Sequence, residues 1–439
     1  MKIAVTAFIF LASTSVSSFS PSNLSRRVIA TTTTTLDAKK SKTKKKKVTS
    51  TSSGLKGFGS TTKSSSTSSI TVPIDRSKSA MDFYSFLEKN GSASSLKRVA
   101  LGFFPFTPED TENKLRGVVA LKKIAKGDVI IEIPYETAFN LGSESSDPTL
   151  PGTMLLQEYC SWISGGSASE TKKRDLGPYL EVLPPFGTDE LGSTDFFSVD
   201  ALEMLQSPQI MEETLARRAK CEARFERDVQ PMTQISLGMY KWKDDAEITE
   251  ENLRWSSWLV TSRVLTVQGE AGTGEAYRLM IPLIDMCNHD RDSPHILTGR
   301  AVPGGTLKVV AGKTVEAGEQ INIVYGGGVS GNDRFIQDYG FLDNFCNGAA
   351  DSITAKILLG KSRIVEGAGA VNGRPTLMPE DERVRALAAL DETTLEEDIG
   401  LSLTRGSELA NDVRIALEYR IGVKKALKKL GYGLGLVTE

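Results

Sequence analysis

The chain has 439 residues, which is enough for two or three domains with hydrophobic cores. It carries 53 basic and 55 acidic side chains, but the first 74 residues hold twelve of the basic ones and a single acid, Asp37. Residues 75–439 therefore have a net charge of about −13, from 41 basic and 54 acidic side chains. Such an acidic body is unsuited to non-specific nucleic-acid binding, which depends on dense positive charge.

Potential metal ligands are sparse. The chain has two histidines and four cysteines, and no two cysteines have C-x-x-C spacing. This pattern argues against a zinc site or a redox dithiol, and it is typical of proteins in a reducing compartment. We therefore expect no bound metal. The four cysteines are Cys160, Cys221, Cys287 and Cys346.

Residues 1–74 have the composition of a targeting sequence. An apolar run preceded by one lysine is followed by Val16 and Ser18, which stand where the last residues before a signal-peptidase cut are expected. Phe19 then begins a stretch rich in Ser, Thr and basic residues. We predict a signal peptide at 1–18, and a transit peptide with a disordered linker at 19–74.

A signal peptide followed directly by a transit-like segment, with Phe at the junction, resembles the bipartite plastid address of algae with secondary plastids. The alternative is ordinary secretion followed by a linker. The apolar run at 3–12 is shorter than the roughly 20 residues that span a bilayer, so we expect no membrane span. The basic run at 39–47 could be a nuclear signal or a nucleic-acid patch, but it lies inside the predicted transit region.

Short strands dominate the start of the predicted folded part. An amphipathic helix is predicted first, at 81–90. Apolar runs at 115–120 and 129–133, separated by a turn at 126–128, predict two strands of an antiparallel sheet. Residues 150–250 then change to long, charged, helical patterns, which indicates an insert.

A helix capped by Thr249 is predicted to run through Leu265 at the end of the insert. Strand patterns return at 280–284, 307–310 and 320–325. The C-terminal part is helical again: Thr394 and Glu397 form a capping box, and a further helix is predicted to start at Ser407. This order predicts an α+β fold with a helical insert and a helical C-terminal domain.

Three segments suggest a chemistry. They are Leu-Arg-Gly-Val-Val-Ala at 115–120, Leu-Ile-Asp-Met-Cys-Asn-His at 283–289, and Gly-Glu-Gln-Ile-Asn-Ile-Val-Tyr at 318–325, followed by Asp-Tyr-Gly-Phe at 338–341. Each segment alone is weak evidence of function, because the same residue patterns occur at ordinary strand ends, in turns with a hydrogen-bonded histidine, and at aromatic core positions. Their order and spacing across a helical insert are specific together.

With these segments the chain resembles the SET-domain methyltransferases, in particular the subfamily of the Rubisco large-subunit lysine methyltransferase. The resemblance covers about residues 81–435, including Gly-Pro-Tyr-Leu-Glu-Val-Leu-Pro at 177–184 and Thr-Thr-Leu-Glu-Glu-Asp at 393–398. It implies a SET-domain β-fold of short antiparallel strands with the helical insert at 81–345. An all-helical substrate-binding domain would follow at 346–439.

The resemblance implies a site for S-adenosylmethionine. Leu115, Arg116 and Gly117 would line the methionine end of this cofactor, with Gly117 allowing close approach of the backbone. Arg263 belongs to the Ser262–Arg263 pair on the helix before the second segment. Its guanidinium would contact the cofactor at the cofactor's carboxylate. A surface salt bridge is the alternative role for this arginine.

Asp285, Asn288 and His289 match the family's D..NH motif and would also contact the cofactor. Asn288 can offer both a donor and an acceptor. His289 would act through its backbone and through ring packing, and a base role for its imidazole is the alternative. Ser262 and Asp285 are expected to contact the substrate.

Tyr325 matches the family's catalytic tyrosine, and Tyr339 matches the second tyrosine of the site. Both are expected to be catalytic and to face the cofactor. Phe341 is expected to pack beneath them, and Asn332 and Asp333 are expected to cap the helix that leads to Tyr339.

The resemblance further implies methyl transfer to a lysine of another protein, without a metal or a covalent intermediate. We expect a monomer that acts on a plastid stromal protein, with the Rubisco large subunit and fructose-bisphosphate aldolase as candidates. A histidine target is an alternative, as is a SET-like binding module without turnover. Two departures from the family concern the substrate pocket: a longer, Gly-rich loop at 326–331, and no aromatic in the stretch after His289.

Overall fold

In a computed structural model of the protein, the described residues are 72–105, 114–144, 147–164, 175–187, 192–235, 242, 246–326, 331–343, 370–371, 374–375, 378–406 and 408–429. The strands are β1 (Val99–Pro105), β2 (Lys114–Ala120), β3 (Val129–Pro134), β4 (Phe139–Ser143), β5 (Leu265–Gln268), β6 (Ala276–Met280), β7 (Asn288–His289), β8 (Ile296–Thr298), β9 (Thr306–Val310), β10 (Gln320–Ile323), β11 (Ala370–Val371) and β12 (Arg374–Pro375). The helices are α1 (Lys78–Leu87), α2 (Ala93–Leu96), α3 (Thr149–Ile163), α4 (Gly177–Glu181), α5 (Val199–Met204), α6 (Pro208–Arg224), α7 (Gln230–Ile235), α8 (Glu250–Arg263), α9 (Asn332–Arg334), α10 (Glu380–Leu390), α11 (Leu395–Arg405) and α12 (Asn411–Lys429).

One sheet joins the three segments that suggest the chemistry. In this sheet β1 pairs antiparallel with β2 along its whole length, and β10 pairs antiparallel with the other edge of β2. β7 then pairs parallel with β10, which sets Asn288 opposite Asn322. The segments at 115–120, 283–289 and 318–325 are therefore adjacent in space, although more than 150 residues separate the first from the second along the chain.

The remaining strands form smaller sheets. β3, β9 and β8 form one antiparallel sheet, β4, β6 and β5 form another, and β11 pairs with β12. The strands predicted at 115–120 and 129–133 both exist, as β2 and β3, but they lie in different sheets, so the expectation that they share one is wrong. The chain turns between them at Gly127, whose φ of 90° is readily adopted by glycine.

The helix predicted at 81–90 begins three residues earlier, at Lys78. The Ser77 hydroxyl accepts a hydrogen bond from the backbone N–H of Ala80 at 3.3 Å and so caps the helix. Regular helical geometry is lost by Gly91, which has a φ of 86°. α1 therefore ends near the position expected but starts from a cap that precedes the predicted start.

α8 closes the insert. Thr249 and Asn252 form a capping box at its first turn, which agrees with the cap predicted at Thr249. The helix ends at Arg263, and Leu265 lies in β5 instead of the helix. The predicted helix was thus two residues too long.

The strand predicted at 280–284 is wrong beyond its first residue. β6 ends at Met280, and Leu283 has a φ of 73°, which is uncommon for a residue with a side chain. A 3₁₀ turn over Ile284–Met286 follows and leads into β7. The apolar run reflects burial in the core and not an extended backbone, since a short apolar run does not distinguish the two.

A single hydrophobic cluster connects the sheets with part of the insert. It contains the fully buried side chains of Phe83 from α1, Tyr179 from α4 and Trp255 from α8. A second cluster, which includes Leu205 and Leu427, packs the insert against α10 and α12. The insert is therefore part of the core, and burial of such large side chains is a main stabilising term of the fold.

The C-terminal helices agree with the sequence pattern. α11 begins with the predicted capping box, in which the Thr394 hydroxyl accepts from the Glu397 N–H at 3.1 Å and the Glu397 carboxylate accepts from the Thr394 N–H at 2.7 Å. α12 begins at Asn411, later than the predicted start, and Ser407 lies outside the described residues.

Residues 73–75 already belong to the folded body. The Phe103 N–H donates to the Pro73 carbonyl at 3.0 Å, and the Asp75 N–H donates to the Leu101 carbonyl at 2.9 Å. The linker boundary expected at 74 is therefore slightly too late, and residues 1–71 lie outside the described residues. None of the helices that the structure describes is long and apolar enough to cross a membrane.

Candidate active site

A cluster of aromatic rings lies at the end of β10. Tyr325 follows this strand, and Tyr339 ends a π turn that begins at Phe335. The two tyrosine rings stack, with centroids 4.9 Å apart and planes 28° apart. Phe341 lies 5.2 Å from Phe335, and His289 lies 4.8 Å from Phe335. The cluster thus joins residues from the second and third sequence segments.

The two phenols are hydrogen-bonding groups and not bases. The Tyr325 hydroxyl donates to the Cys287 carbonyl at 2.5 Å, across the β7–β10 pair. Burial raises the pKa of Tyr325 well above its ordinary value, and burial raises the pKa of Tyr339 to about 12. Both side chains therefore remain protonated at neutral pH and can orient a polar group.

His289 is held by ring packing and by contacts with the neighbouring backbone. Its Nδ1 accepts a hydrogen bond from the Tyr325 N–H at 3.0 Å, so this nitrogen carries no proton. Its Nε2 lies 3.7 Å from Asp343 Oδ2. Burial lowers the pKa of His289. This geometry favours the packing role over the base role, because the free electron pair of Nδ1 is already used.

Gly117 marks a close approach between β2 and the D..NH turn. A methyl group built on Gly117 would lie 2.6 Å from both Asn288 Nδ2 and Gln320 Nε2. Asn288 Nδ2 also donates to the Arg116 carbonyl at 3.2 Å. The close approach expected here is therefore made by side chains of the protein itself, and a side chain at position 117 would displace their ends.

The two residues before Gly117 have different environments. Leu115 is 39% exposed at the outer part of β2. Arg116 donates to the Val182 carbonyl at the end of α4, and its Nη1 lies 3.9 Å from Asp75 Oδ2. The guanidinium thus ties the first segment to the insert.

Arg263 and Asp285 meet beneath the D..NH turn. Arg263 Nη1 donates to the Asp285 carbonyl at 2.9 Å. The guanidinium of Arg263 is therefore directed at the D..NH turn and not at a surface salt bridge. Tyr179 donates its hydroxyl hydrogen to Asp285 Oδ2. Among the described residues, Asp285 Oδ1 and Arg263 Nε are buried without a hydrogen-bond partner. Burial raises the pKa of Asp285 to about 6, although Arg263 and the Tyr179 hydroxyl act to lower it.

Two expected side-chain roles differ from the observed contacts. Ser262 donates its hydroxyl hydrogen to the Trp258 carbonyl of its own helix at 2.9 Å, so this donor is not directed at a substrate. The cap of α9 is Gly331, so the prediction that Asn332 and Asp333 cap it is wrong. The Asn332 side chain instead accepts from the Asp343 N–H at 2.8 Å and fixes the residue beside His289.

The insert also holds the turn that carries Tyr339. Arg217 of α6 reaches Asp338 Oδ1 at 3.0 Å and donates to the Gln337 carbonyl at 2.8 Å. Arg334 of α9 contacts Glu213 of α6 at 2.7 Å. These ion pairs are partly buried, where charge-assisted hydrogen bonds are stronger than at the surface.

Most of the predicted site residues thus form one set of contacts. It contains Arg116, Gly117, Arg263, Asp285, Asn288, His289, Tyr325 and Tyr339. Leu115 and Ser262 take part in none of these contacts. Sequence reasoning missed Tyr179, Phe335 and Asp343, and of these only Tyr179 carried a signal, as part of the Pro-Tyr-Leu signature.

The fold and site together define the class of protein. Residues 115–326, just under half of the chain, match the family model described as SET domain. This match and the relative described below agree with the resemblance to SET-domain methyltransferases of the Rubisco large-subunit type that was inferred from the motifs, and that resemblance is confirmed. The α+β SET fold predicted from the sequence is confirmed as well.

Particular relatives are known. The chain is 23% identical over 299 residues to the ribulose-1,5 bisphosphate carboxylase/oxygenase large subunit N-methyltransferase, chloroplastic, of Nicotiana tabacum. The match covers 64% of this chain and 54% of the relative, so the chain spans about half the length of that protein.

Solved structures share the fold. The SET domain of LSMT bound to lysine and AdoHcy matches with a TM-score of 0.52 and 18% identity, over 83% of this chain and 91% of that one. The structure of Rubisco LSMT bound to AdoMet matches with a TM-score of 0.51 and 18% identity, over 82% of this chain and 92% of that one. At this identity the similarity establishes the fold alone.

Proposed function

We propose that the protein is an S-adenosylmethionine-dependent protein-lysine N-methyltransferase. The observation that carries the proposal is the contact between the two tyrosines and the D..NH turn, with the Tyr325 hydroxyl 2.5 Å from the Cys287 carbonyl. Segments from distant parts of the chain thereby form one site with two protonated phenols. Tyr325 and Tyr339 are the residues that we assign to catalysis.

The residues present fit the methyl donor. Asp285 Oδ1 and Arg263 Nε are buried polar atoms without a partner in the described structure, and buried polar groups of this kind normally have one. A ligand with an ammonium and a carboxylate group, such as the amino-acid end of S-adenosylmethionine, would satisfy both. We assign the binding of S-adenosylmethionine to Leu115, Arg116, Gly117, Arg263, Asp285, Asn288, His289, Tyr325 and Tyr339. We assign contacts with the substrate to Asp285, and to Ser262 through groups other than its hydroxyl hydrogen, which is bonded within its own helix.

The cofactor would supply an electrophilic methyl group on a sulfonium. The side chains of this protein then have to present a neutral amine, whose ordinary lysine pKa is about 10.4. At about pH 8, deprotonating that lysine costs roughly 3 kcal/mol. Burial beside a positive charge disfavours the ammonium and offsets this cost, so a general base is not required.

Positioning supplies the rest of the catalysis. The Tyr325 phenol is held at its hydroxyl by Cys287 and at its ring by Tyr339. A group fixed in this way orients an amine in line with the methyl group, and such alignment can contribute several kcal/mol. The raised pKa of both phenols keeps them neutral throughout. Because the Tyr325 hydrogen is donated to Cys287, the Tyr325 oxygen orients the amine by accepting a hydrogen bond from its N–H.

The target and location are part of the proposal. We infer that the substrate is a plastid stromal protein, with the Rubisco large subunit and fructose-bisphosphate aldolase as candidates. The composition of residues 1–74 and the name of the tobacco relative, which is chloroplastic, support this inference. We assign residues 81–345 to the SET domain and 346–439 to substrate binding, and we expect the enzyme to act as a monomer.

Incubation of the full chain with radiolabelled S-adenosylmethionine and a plastid extract tests the proposal. Tyr325→Phe should lower methyl incorporation by about 100-fold or more, because the orienting hydroxyl is lost. Tyr135→Phe is the matched control, since its hydroxyl only accepts from Asn140 at 2.9 Å. Mass spectrometry of the labelled protein then identifies the modified residue.

Each outcome has a clear meaning. Label on lysine that disappears in Tyr325→Phe supports the proposal, whereas label on histidine supports the alternative target. Binding of S-adenosylmethionine without any labelled protein supports a binding module without turnover. The absence of both binding and labelling contradicts the proposed function.

A further inference from the structure

Tyr179 connects the insert to the candidate active site. It lies in α4, has no exposed surface, and packs with its ring centroid 6.2 Å from that of Phe83. Its hydroxyl donates to Asp285 Oδ2, a residue 106 positions further along the chain. The predicted site residues did not include Tyr179.

Asp285 has one oxygen held and one oxygen open. Asp285 is only 6% exposed, and its Oδ1 has no hydrogen-bond partner among the described residues. A buried carboxylate oxygen without a donor is rare in folded proteins, so it indicates a donor that arrives with a ligand. The donor must be an N–H or O–H group, and a cationic N–H forms the strongest such bond.

Several titratable groups act on Asp285 from the elements around it. Arg263 of α8 and Arg116 of β2 favour the ionised carboxylate through their positive charges. Cys287 and Tyr325 interact with its charge, and burial raises the pKa of both groups. The Tyr179 hydroxyl, from α4, is the group in direct hydrogen-bond contact with the carboxylate.

We propose that Tyr179 is a positioning residue that fixes Asp285, aims its open oxygen at an ammonium group of a ligand, and keeps the carboxylate ionised at neutral pH. The proposal rests on the proposed function, which makes Asp285 a ligand-contacting residue. It adds that a residue of the insert sets the pH range in which the site accepts a positively charged group.

The sign of the effect follows from the hydrogen bond. A hydrogen bond donated to a carboxylate stabilises its ionised form and lowers its pKa, against the effect of burial, which raises the pKa of Asp285 to about 6. Loss of the Tyr179 hydroxyl must therefore move ionisation to higher pH. One hydrogen bond to a charged acceptor corresponds to about one to two pH units.

Two ligands could bring the ammonium group. One is the amino group of S-adenosylmethionine, and the other is the amine of the target side chain. The experiment therefore has two arms, in which calorimetry follows the affinity of the full chain from about pH 5 to pH 8.5. The first arm uses S-adenosylmethionine alone, and the second uses free lysine in the presence of S-adenosylhomocysteine.

In wild type we expect affinity in at least one arm to rise with pH around a midpoint near 6, the pKa of Asp285. Tyr179→Phe should move this midpoint upward by about one to two pH units. It should preserve the affinity reached at high pH when that affinity is expressed for the ammonium form of the ligand, because an α-amino group itself loses its proton at about pH 8. Tyr179→3-fluorotyrosine keeps the shape of the side chain and is a stronger donor, so it should move the midpoint downward. Tyr135→Phe should leave the midpoint unchanged.

An unchanged midpoint in both Tyr179 variants overturns the proposal. A loss of affinity that is equal at every pH also overturns it, because that result describes a structural role only. The arm in which the midpoint moves identifies the source of the ammonium group. If wild type bound S-adenosylmethionine at no pH, the proposed function itself would fail, which is a different result from an unshifted midpoint.

Discussion

Replacing Asp285 by asparagine should stabilise the protein at neutral pH while damaging the site. The carboxyl has a pKa of about 6 in the folded chain, against an ordinary value of 3.8. Because the folded pKa is the higher one, the folded state retains a proton that the unfolded state releases between about pH 4 and pH 6. The contribution of this carboxyl to stability is therefore greatest below pH 4, falls as the pH rises, and stays lowered above pH 6.

The magnitude follows from the same difference. A separation of about two pKa units corresponds to roughly 3 kcal/mol of unfolding free energy that the wild type lacks above pH 6. Asparagine is neutral at every pH and retains an oxygen that can accept from Tyr179. The pH-dependent part of the cost should therefore disappear in Asp285→Asn, whatever constant packing difference the new amide introduces.

Urea unfolding at about pH 4, pH 6 and pH 8, without ligand, measures this effect. The difference in unfolding free energy between Asp285→Asn and wild type should increase by roughly 3 kcal/mol from pH 4 to pH 8. A difference that stays constant over this range, or one that shrinks, would refute the reasoning. S-adenosylmethionine affinity at pH 8 should fall in the same variant.

Two further substitutions test the frame around the site. Arg217→Ala removes the guanidinium that is hydrogen-bonded to Asp338. It should lower methyl transfer at least about tenfold, measured by labelling, and the unfolding free energy by about 2 kcal/mol, measured by urea. Wild-type values for both would contradict the anchoring role. Gly117→Ala inserts a methyl group 2.6 Å from Asn288 Nδ2 and should cost about 1 kcal/mol, because the displaced amide loses its hydrogen bond to the Arg116 carbonyl. Gly400→Ala, with nothing within 4 Å, should be neutral or slightly stabilising. Equal effects of the two alanines would show that steric fit at β2 is unimportant.

The local features of this fold were predictable from the sequence. Capping boxes need only residues three apart, so Thr249 and Thr394 could be identified without knowledge of the tertiary structure. The three motif segments could also be identified from their residue types and their order along the chain. Their chemistry became predictable because several weak patterns agreed.

The pairings between distant elements were not predictable. Apolar letters at 129–133 predict a strand but do not select its partner, and β3 pairs with β9 and not with β2. The buried run after Met280 contains Leu283 at a φ of 73°, a conformation that no local pattern indicates. The Tyr179 contact with Asp285 depends on how the whole insert packs, so residue types alone could not predict it.

The insert has a consequence for the order of events in folding and binding. Tyr179, Val182 and Arg217 reach from it to residues of the site that lie between 66 and 121 positions away in the chain. Contacts that close such long loops form late in folding, because the chain loses the entropy of loop closure before these contacts contribute any stabilising energy. A ligand that binds only the assembled site therefore also stabilises the insert. Amide hydrogen exchange in α4 and α6 should slow when S-adenosylmethionine binds, although these helices are distant in sequence from the motif segments of the site.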